Sequence, residues 1–221
     1  MTFEFRDRRW KGMTAVVMAS GPSLCVAQLE CVREARAQNR CRVITVNTTF
    51  RSAPWADVAY GGDTLWWAKH VAEARKTFRG ELWTQDNVAA ARYQLKRVRG
   101  APRDGLGTYE IHQNGNSGMQ AINLAYLWGA NPILLLGFDM KEGPNGEKHH
   151  HPDHPKPLIQ KQLFGEWVHK ARKVAEDLKK RDIRVTNCTS GSALPWFPMG
   201  DITKELHHEQ DAGRPAETEP S

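Results

Sequence analysis

Short apolar runs that end in small or polar residues alternate along this chain with segments whose apolar residues recur at helical spacing. The runs 14–18, 43–46, 57–60, 81–84, 133–136 and 183–186 read as strands. Between them, 23–38 carries Leu24, Val26, Leu29, Val32 and Ala35 at helical intervals, with Pro22 placed to open the first turn. Segment 64–78 follows Asp63 as a helix N-cap, 117–128 follows Asn116, and 158–180 is a long amphipathic helix with a basic outer face. A helix over 88–96 and a strand over 108–112 complete the pattern, separated by a loop holding Pro102, Gly105 and Gly107. Ile133, Leu134, Leu135 and Leu136 are apolar without alternation, as in a parallel strand covered on both faces. The pattern predicts the α/β class: a single-domain, three-layer αβα sandwich around a mostly parallel, Rossmann-like sheet. That domain spans 14–204, between an N-terminal extension (1–13) and a polar, disordered tail (205–221).

In a parallel sheet all strand ends of one kind share an edge, so polar residues that follow the strands line one cleft. Ser20, Gly21 and Ser23 follow the first strand, Asn47 the second, Asp63 the third, and Asp139 and Lys141 the apolar run at 133–136. Asn116, Ser117 and Gly118 open a helix, where free N–H groups and the positive end of the dipole suit a phosphate. An amide such as Asn47 can read a base or ribose edge with donor and acceptor. Asp63 either binds a ribose hydroxyl or a divalent metal, or caps its helix; Asp139 either orients the neighbouring loop or holds Mg²⁺. These ten residues are the candidate nucleotide-binding set.

The stretch 141–157 has two Gly, four Pro and four His, a composition suited to an active-site lid. Within it His154 is the candidate general base, and Lys156 the cation offsetting a departing phosphate. His149, His151 and His154 do not make a persuasive zinc set. No cysteine or spaced partner follows, and Pro152 and Pro155 constrain the chain between them, so no structural zinc is expected. Trp66, Trp67 and Trp83 are read as packing residues rather than base-stacking platforms.

Composition adds two constraints. The net charge of +6 hides an acidic end: before Glu205 the chain carries 30 Lys and Arg against 20 Asp and Glu. That balance favours an anionic ligand or partner and keeps nucleic acid among the candidate acceptors. Cys25, Cys31, Cys41 and Cys188 lack paired spacing, and neither a spanning apolar stretch nor a signal-like N-terminus is present. The expectation is a cytoplasmic protein with free thiols and no membrane span.

Gly21-Pro22-Ser23-Leu24, Asn47 at a strand end, Asn116-Ser117-Gly118 followed by an alanine-bearing helix, Leu136-Gly137-Phe138-Asp139 and His154-Pro155-Lys156 occur in that order. Together they resemble the bacterial sialyltransferase-like group and its relatives, the proteins similar to archaeal 6-hydroxymethylpterin diphosphokinase, including phage-encoded members. In that resemblance His154 matches a catalytic base, and Asn47 matches an asparagine that contacts the nucleotide. The group's two phosphate-holding tyrosines after the Asp are replaced by Met140 and Lys141. The resemblance implies a transferase using a nucleotide-activated donor, with glycosyl transfer to a hydroxyl acceptor as the leading expectation. The relatives imply a second reading, a Mg²⁺-dependent diphosphokinase with Asp63 and Asp139 as metal ligands. A non-catalytic nucleotide- or nucleic-acid-binding protein is the third.

Overall fold

The computed structural model describes residues 8–151 and 163–212. Its strands are β1 (Ala15–Met18), β2 (Arg42–Val46), β3 (Val58–Tyr60), β4 (Glu81–Thr84), β5 (Lys96–Arg97), β6 (Gly100–Ala101), β7 (Ile111–His112), β8 (Ile133–Leu136) and β9 (Val185–Asn187). Its helices are α1 (Val26–Ala37), α2 (Thr64–Thr77), α3 (Asn87–Tyr93), α4 (Ser117–Leu127), α5 (Phe164–Lys179) and α6 (Ile202–Ala212). Seven strands form one parallel sheet in the order β5-β4-β3-β2-β1-β8-β9, and β6 and β7 form a small parallel pair of their own. The strand order reverses at β1 and β8. That is the switch point at which open α/β sheets leave a crevice beyond their carboxyl ends.

Alternate residues of the central strands feed two cores. Ala15 and Val17 of β1, with Ile133 and Leu135 of β8, pack under α4 and α5. Val16 and Met18, with Leu134 and Leu136, pack under α1, α2 and α6. All of these side chains are fully buried, which is why β1 and β8 are apolar at every position. Trp66, Trp67 and Trp83 are buried in these cores, as their apolar neighbours predict.

Three local departures from the pattern have identifiable causes. Helix α1 begins at Val26, not at Ser23, because residues 21–24 form a separate turn. Leu24 N–H donates to Gly21 O, Asp139 holds Ser23, and Gln28 Oε1 accepts the Cys25 N–H. The chain before Thr14 is docked from Arg8 onward rather than extended. Trp10 is buried edge-on against Trp128 at 4.5 Å between ring centroids, Gly12 N–H donates to Gly129 O, and Arg9 pairs with Glu81. A boundary drawn at Glu205 falls inside α6: Ile202 and Leu206 are buried against α1, and Arg40 donates to Leu206 O at 2.6 Å. Ile202 and Leu206 stand among charged and polar neighbours, so the helix does not stand out in the sequence.

Because Leu206 is 1% exposed on the α1 side, Leu206→Ala is expected to cost about 2–4 kcal/mol of folding stability. Urea unfolding of the variant checks this. A loss within experimental error would mean that α6 is not part of the cooperative unit.

Candidate functional site

The carboxyl ends of β1 and β8 are pressed together. Ala19 N–H donates to Leu136 O, and Gly21 N–H donates to Gly137 O at 2.9 Å. A Cβ on Gly21 would overlap Asp139 Oδ2 and stand 2.5 Å from Gly137 O, so no other residue fits there without displacing β8. Gly137, at φ +69°, closes the same contact from the other side, 2.5 Å from Ala19 O by the same measure. Asp139 then takes the Ser23 N–H and the Ser23 hydroxyl, each at 3.0 Å. Burial raises the Asp139 pKa, and the two Ser23 bonds and the nearby Lys141 ammonium pull against that shift. This carboxylate therefore grips the turn after β1, whereas the sequence placed it either on the Ser117 loop or on a metal.

The polar residues that follow the other strands lie along the same edge. Asn47 ends β2 in the left-handed region, φ +52°, and its buried Oδ1 accepts no hydrogen bond among the described residues. Asp63 ends the loop after β3 and caps α2 by accepting Trp66 N–H at 3.0 Å. The start of α4 stands beside that loop: a Cβ on Gly62 would lie 2.9 Å from Ser117 Oγ. Asn116 Oδ1 accepts from both Gly118 N–H and Met119 N–H, so two of the helix's unpaired donors are already used by its own cap. Behind them Tyr60 donates to Gln120, Gln120 to Gln113 O, Gln113 to Gln85, and Gln85 to Gly62 O. This chain of amides fixes the floor of the cleft on the β3–β4 side. Sequence periodicity could not show it, because its members lie up to 60 positions apart.

The histidines cover the β1–β2 side. The segment after Lys141 returns across the strand ends, and His150 N–H donates to Ser20 O at 3.0 Å. His149 Nδ1 meets Ser20 Oγ at 3.1 Å, and His151 Nε2 meets Thr48 Oγ1 at 2.6 Å. The rings of His149 and His151 stack in parallel, 5.0 Å between centroids. His150 uses both ring nitrogens, Nδ1 on Ser20 O at 3.3 Å and Nε2 on Ser52 Oγ at 3.0 Å, so it anchors the segment. Thr48 and Ser52 were not singled out from sequence; a hydroxyl inside the turn that follows β2 carries no signal of its own. His154 and Lys156 lie outside the described residues.

Ser20, Gly21, Ser23, Asn47, Asp63, Asn116, Ser117, Gly118, Asp139 and Lys141 thus all sit at the carboxyl edge. Direct contacts join Ser20 to His149 and Ser23 to Asp139, while Asp63 and Asn116 serve as helix caps. Among the described residues no cluster of three His, Cys, Asp or Glu is arranged to hold a metal ion. Cys25 is exposed whereas Cys41 and Cys188 are buried, and no helix among the described residues is long and apolar enough to cross a membrane. A search of family models finds none that matches the chain, and a search of curated proteins finds no significant relative.

Burial lowers the His150 pKa, helped by the neighbouring His151, while the bond to Ser20 O opposes the shift. A released segment takes up its proton near pH ~6.5, whereas the docked one resists protonation. Docking is therefore strongest above that pH and weakens as the pH falls through it toward the lower docked value. Nuclear magnetic resonance titration should show His150 protonating below the ordinary histidine range, with faster hydrogen exchange at its N–H in mild acid. A normal His150 titration would contradict the docked arrangement.

Proposed function

We propose that the protein is a nucleotide-binding transferase that moves a glycosyl group from a nucleotide-activated donor to a hydroxyl acceptor. The observation that carries this reading is the histidine segment lying across the carboxyl ends of β1 and β2, beside the switch point. An imidazole over that edge can accept the acceptor's proton as its oxygen attacks the donor. The leaving nucleoside phosphate gains negative charge at the same moment, and Lys141, beyond β8, supplies a cation on that side. In this scheme His154 is the base and Lys156 a second cation, three and five positions beyond His151.

Asn47 supports the nucleotide half of the reading. A buried acceptor with no hydrogen bond costs about 1–3 kcal/mol, which a ligand N–H or O–H would recover. The diphosphokinase reading draws less support, because Asp63 and Asp139, its expected metal ligands, already serve as a helix cap and as the clamp on Ser23.

A thermal-shift panel of CMP, UDP, GDP, ADP and ATP, each with and without Mg²⁺, tests the proposal. The cognate nucleotide at about a hundred times its dissociation constant should add ~2.7 kcal/mol. His154→Ala should then lower transfer by about 10²-fold or more without abolishing nucleotide binding. No stabilisation by any nucleotide would end the reading, and magnesium-dependent release of AMP from ATP would replace it with the diphosphokinase.

Asn47→Gly keeps the left-handed backbone but removes the unpaired amide. The variant is expected to fold at least as stably as the parent while binding the nucleotide about tenfold more weakly. Lower stability with unchanged affinity would assign Asn47 to the fold alone.

A further inference from the structure

A cavity of about 490 Å³ opens between the first turn of α1, the loop after β9 and the start of α6. It falls within the ~300–1,000 Å³ of small-molecule sites. Two of its walls continue from the switch point. The first turn of α1 follows directly on the Ser20–Leu24 turn, and Ser190 and Gly191 belong to the loop that holds β8's end. On the far side of that loop Ser192 Oγ donates to Phe138 O at 2.6 Å, and Ala193 N–H donates to Asp139 O. The cavity is thus separated from the crevice by one turn of chain.

Its lining is rich in hydrogen-bonding groups of both kinds. Gln28 spends its Oε1 on Cys25 N–H and keeps its amide protons as donors. Ser190 and Thr203 add hydroxyls, and Asp201, whose Oδ1 accepts Lys204 N–H at 3.0 Å, offers its second oxygen as acceptor. Met199, 54% exposed, gives an apolar patch at the lip. Charge is divided across the loop. Lys141 Nζ stands 3.6 Å from where a Cβ on Gly191 would be, whereas Asp201 sits at the start of α6 with Glu205 one turn on. The Cys188 thiol on the cavity floor is pushed up to about 12, by burial first and then by Glu205 and Asp201. It is a protonated, unreactive wall.

A carboxylate, an amide and hydroxyls set around an apolar patch bind vicinal hydroxyl groups, and the Asp201 carboxylate in the lining disfavours a phosphate ester or acid beside it. We infer that this cavity binds an uncharged polyhydroxylated molecule of sugar size, and that it is the acceptor subsite of the transferase. The acceptor role rests on the function proposed above; the binding chemistry does not. Donor phosphate would then lie on the Lys141 side of the 189–193 loop and the acceptor polyol on the Asp201 side, its reacting hydroxyl reaching past that loop to the donor.

The test uses the full chain labelled with ¹⁵N and two probes, glucose and its phosphate ester. Glucose should shift the amides of Gly191, Gly200 and Thr203, and the ester should bind about tenfold more weakly. Asp201→Asn keeps an acceptor for the α6 cap, and Gln28→Glu keeps one for Cys25 N–H, so both variants should fold. Each should weaken glucose binding about tenfold. Absence of sugar-induced shifts, or tighter binding of the ester, overturns the inference even where a nucleotide binds normally. Glucose binding in a protein that binds no nucleotide overturns the acceptor role.

Discussion

The contact between the turn after β1 and the end of β8 governs the rest of the molecule. Two glycines let the backbones touch, and the Asp139 carboxylate, closed over Ser23, locks the touch in place. From that clamp the turn leads into α1, the chain beyond Met140 leads into the histidine segment, and the loop after β9 hangs on Phe138 and Asp139. A buried carboxylate bound to a neutral serine is tolerable only while both serine donors point at it. The clamp therefore demands one conformation, and the two cavities on either side inherit its geometry.

The cleft edge divides into a fixed half and a docked half. On the β3–β4 side, Tyr60, Gln120, Gln113 and Gln85 satisfy one another through a continuous chain of hydrogen bonds. On the β1–β2 side, the histidine segment is attached to Ser20, Thr48 and Ser52 by hydrogen bonds. Hydrogen bonds of this kind contribute about 1 kcal/mol each at most, and water can replace them. A ligand at this edge can compete for such bonds.

Much of this architecture was legible in the chain. The runs at 81–84 and 133–136 match β4 and β8 residue for residue, and β8 is apolar throughout because a strand covered on both faces has no choice of composition. Strand-end residues such as Ser20, Asn47 and Asp63 were placed on one edge by parallel topology alone. What the pattern could not show was how those side chains spend their hydrogen bonds. Asp139, Asp63 and Asn116 look alike as ligand groups and as caps, and only the fold decides that all three are internally engaged. The same holds for α6, whose buried Ile202 and Leu206 are hidden among charged residues, and for β5, β6 and β7, whose two-residue lengths leave no period to detect.

The eight tryptophans fall into separate neighbourhoods with an optical consequence. Trp67 donates its indole N–H to Gly61 O, in the loop that borders Ser117, and Trp66 lies 4.8 Å away edge-on. Trp10 and Trp128 meet edge to face at the opposite, amino-terminal end of the sheet, with the Arg9 guanidinium over the Trp128 ring. Emission from the first pair samples the polarity of the cleft edge, while that from the second samples the anchoring of the N-terminal turn. The chain carries native fluorophores at both poles, so loosening at one end can be told apart spectrally from occupation of the other without any attached dye.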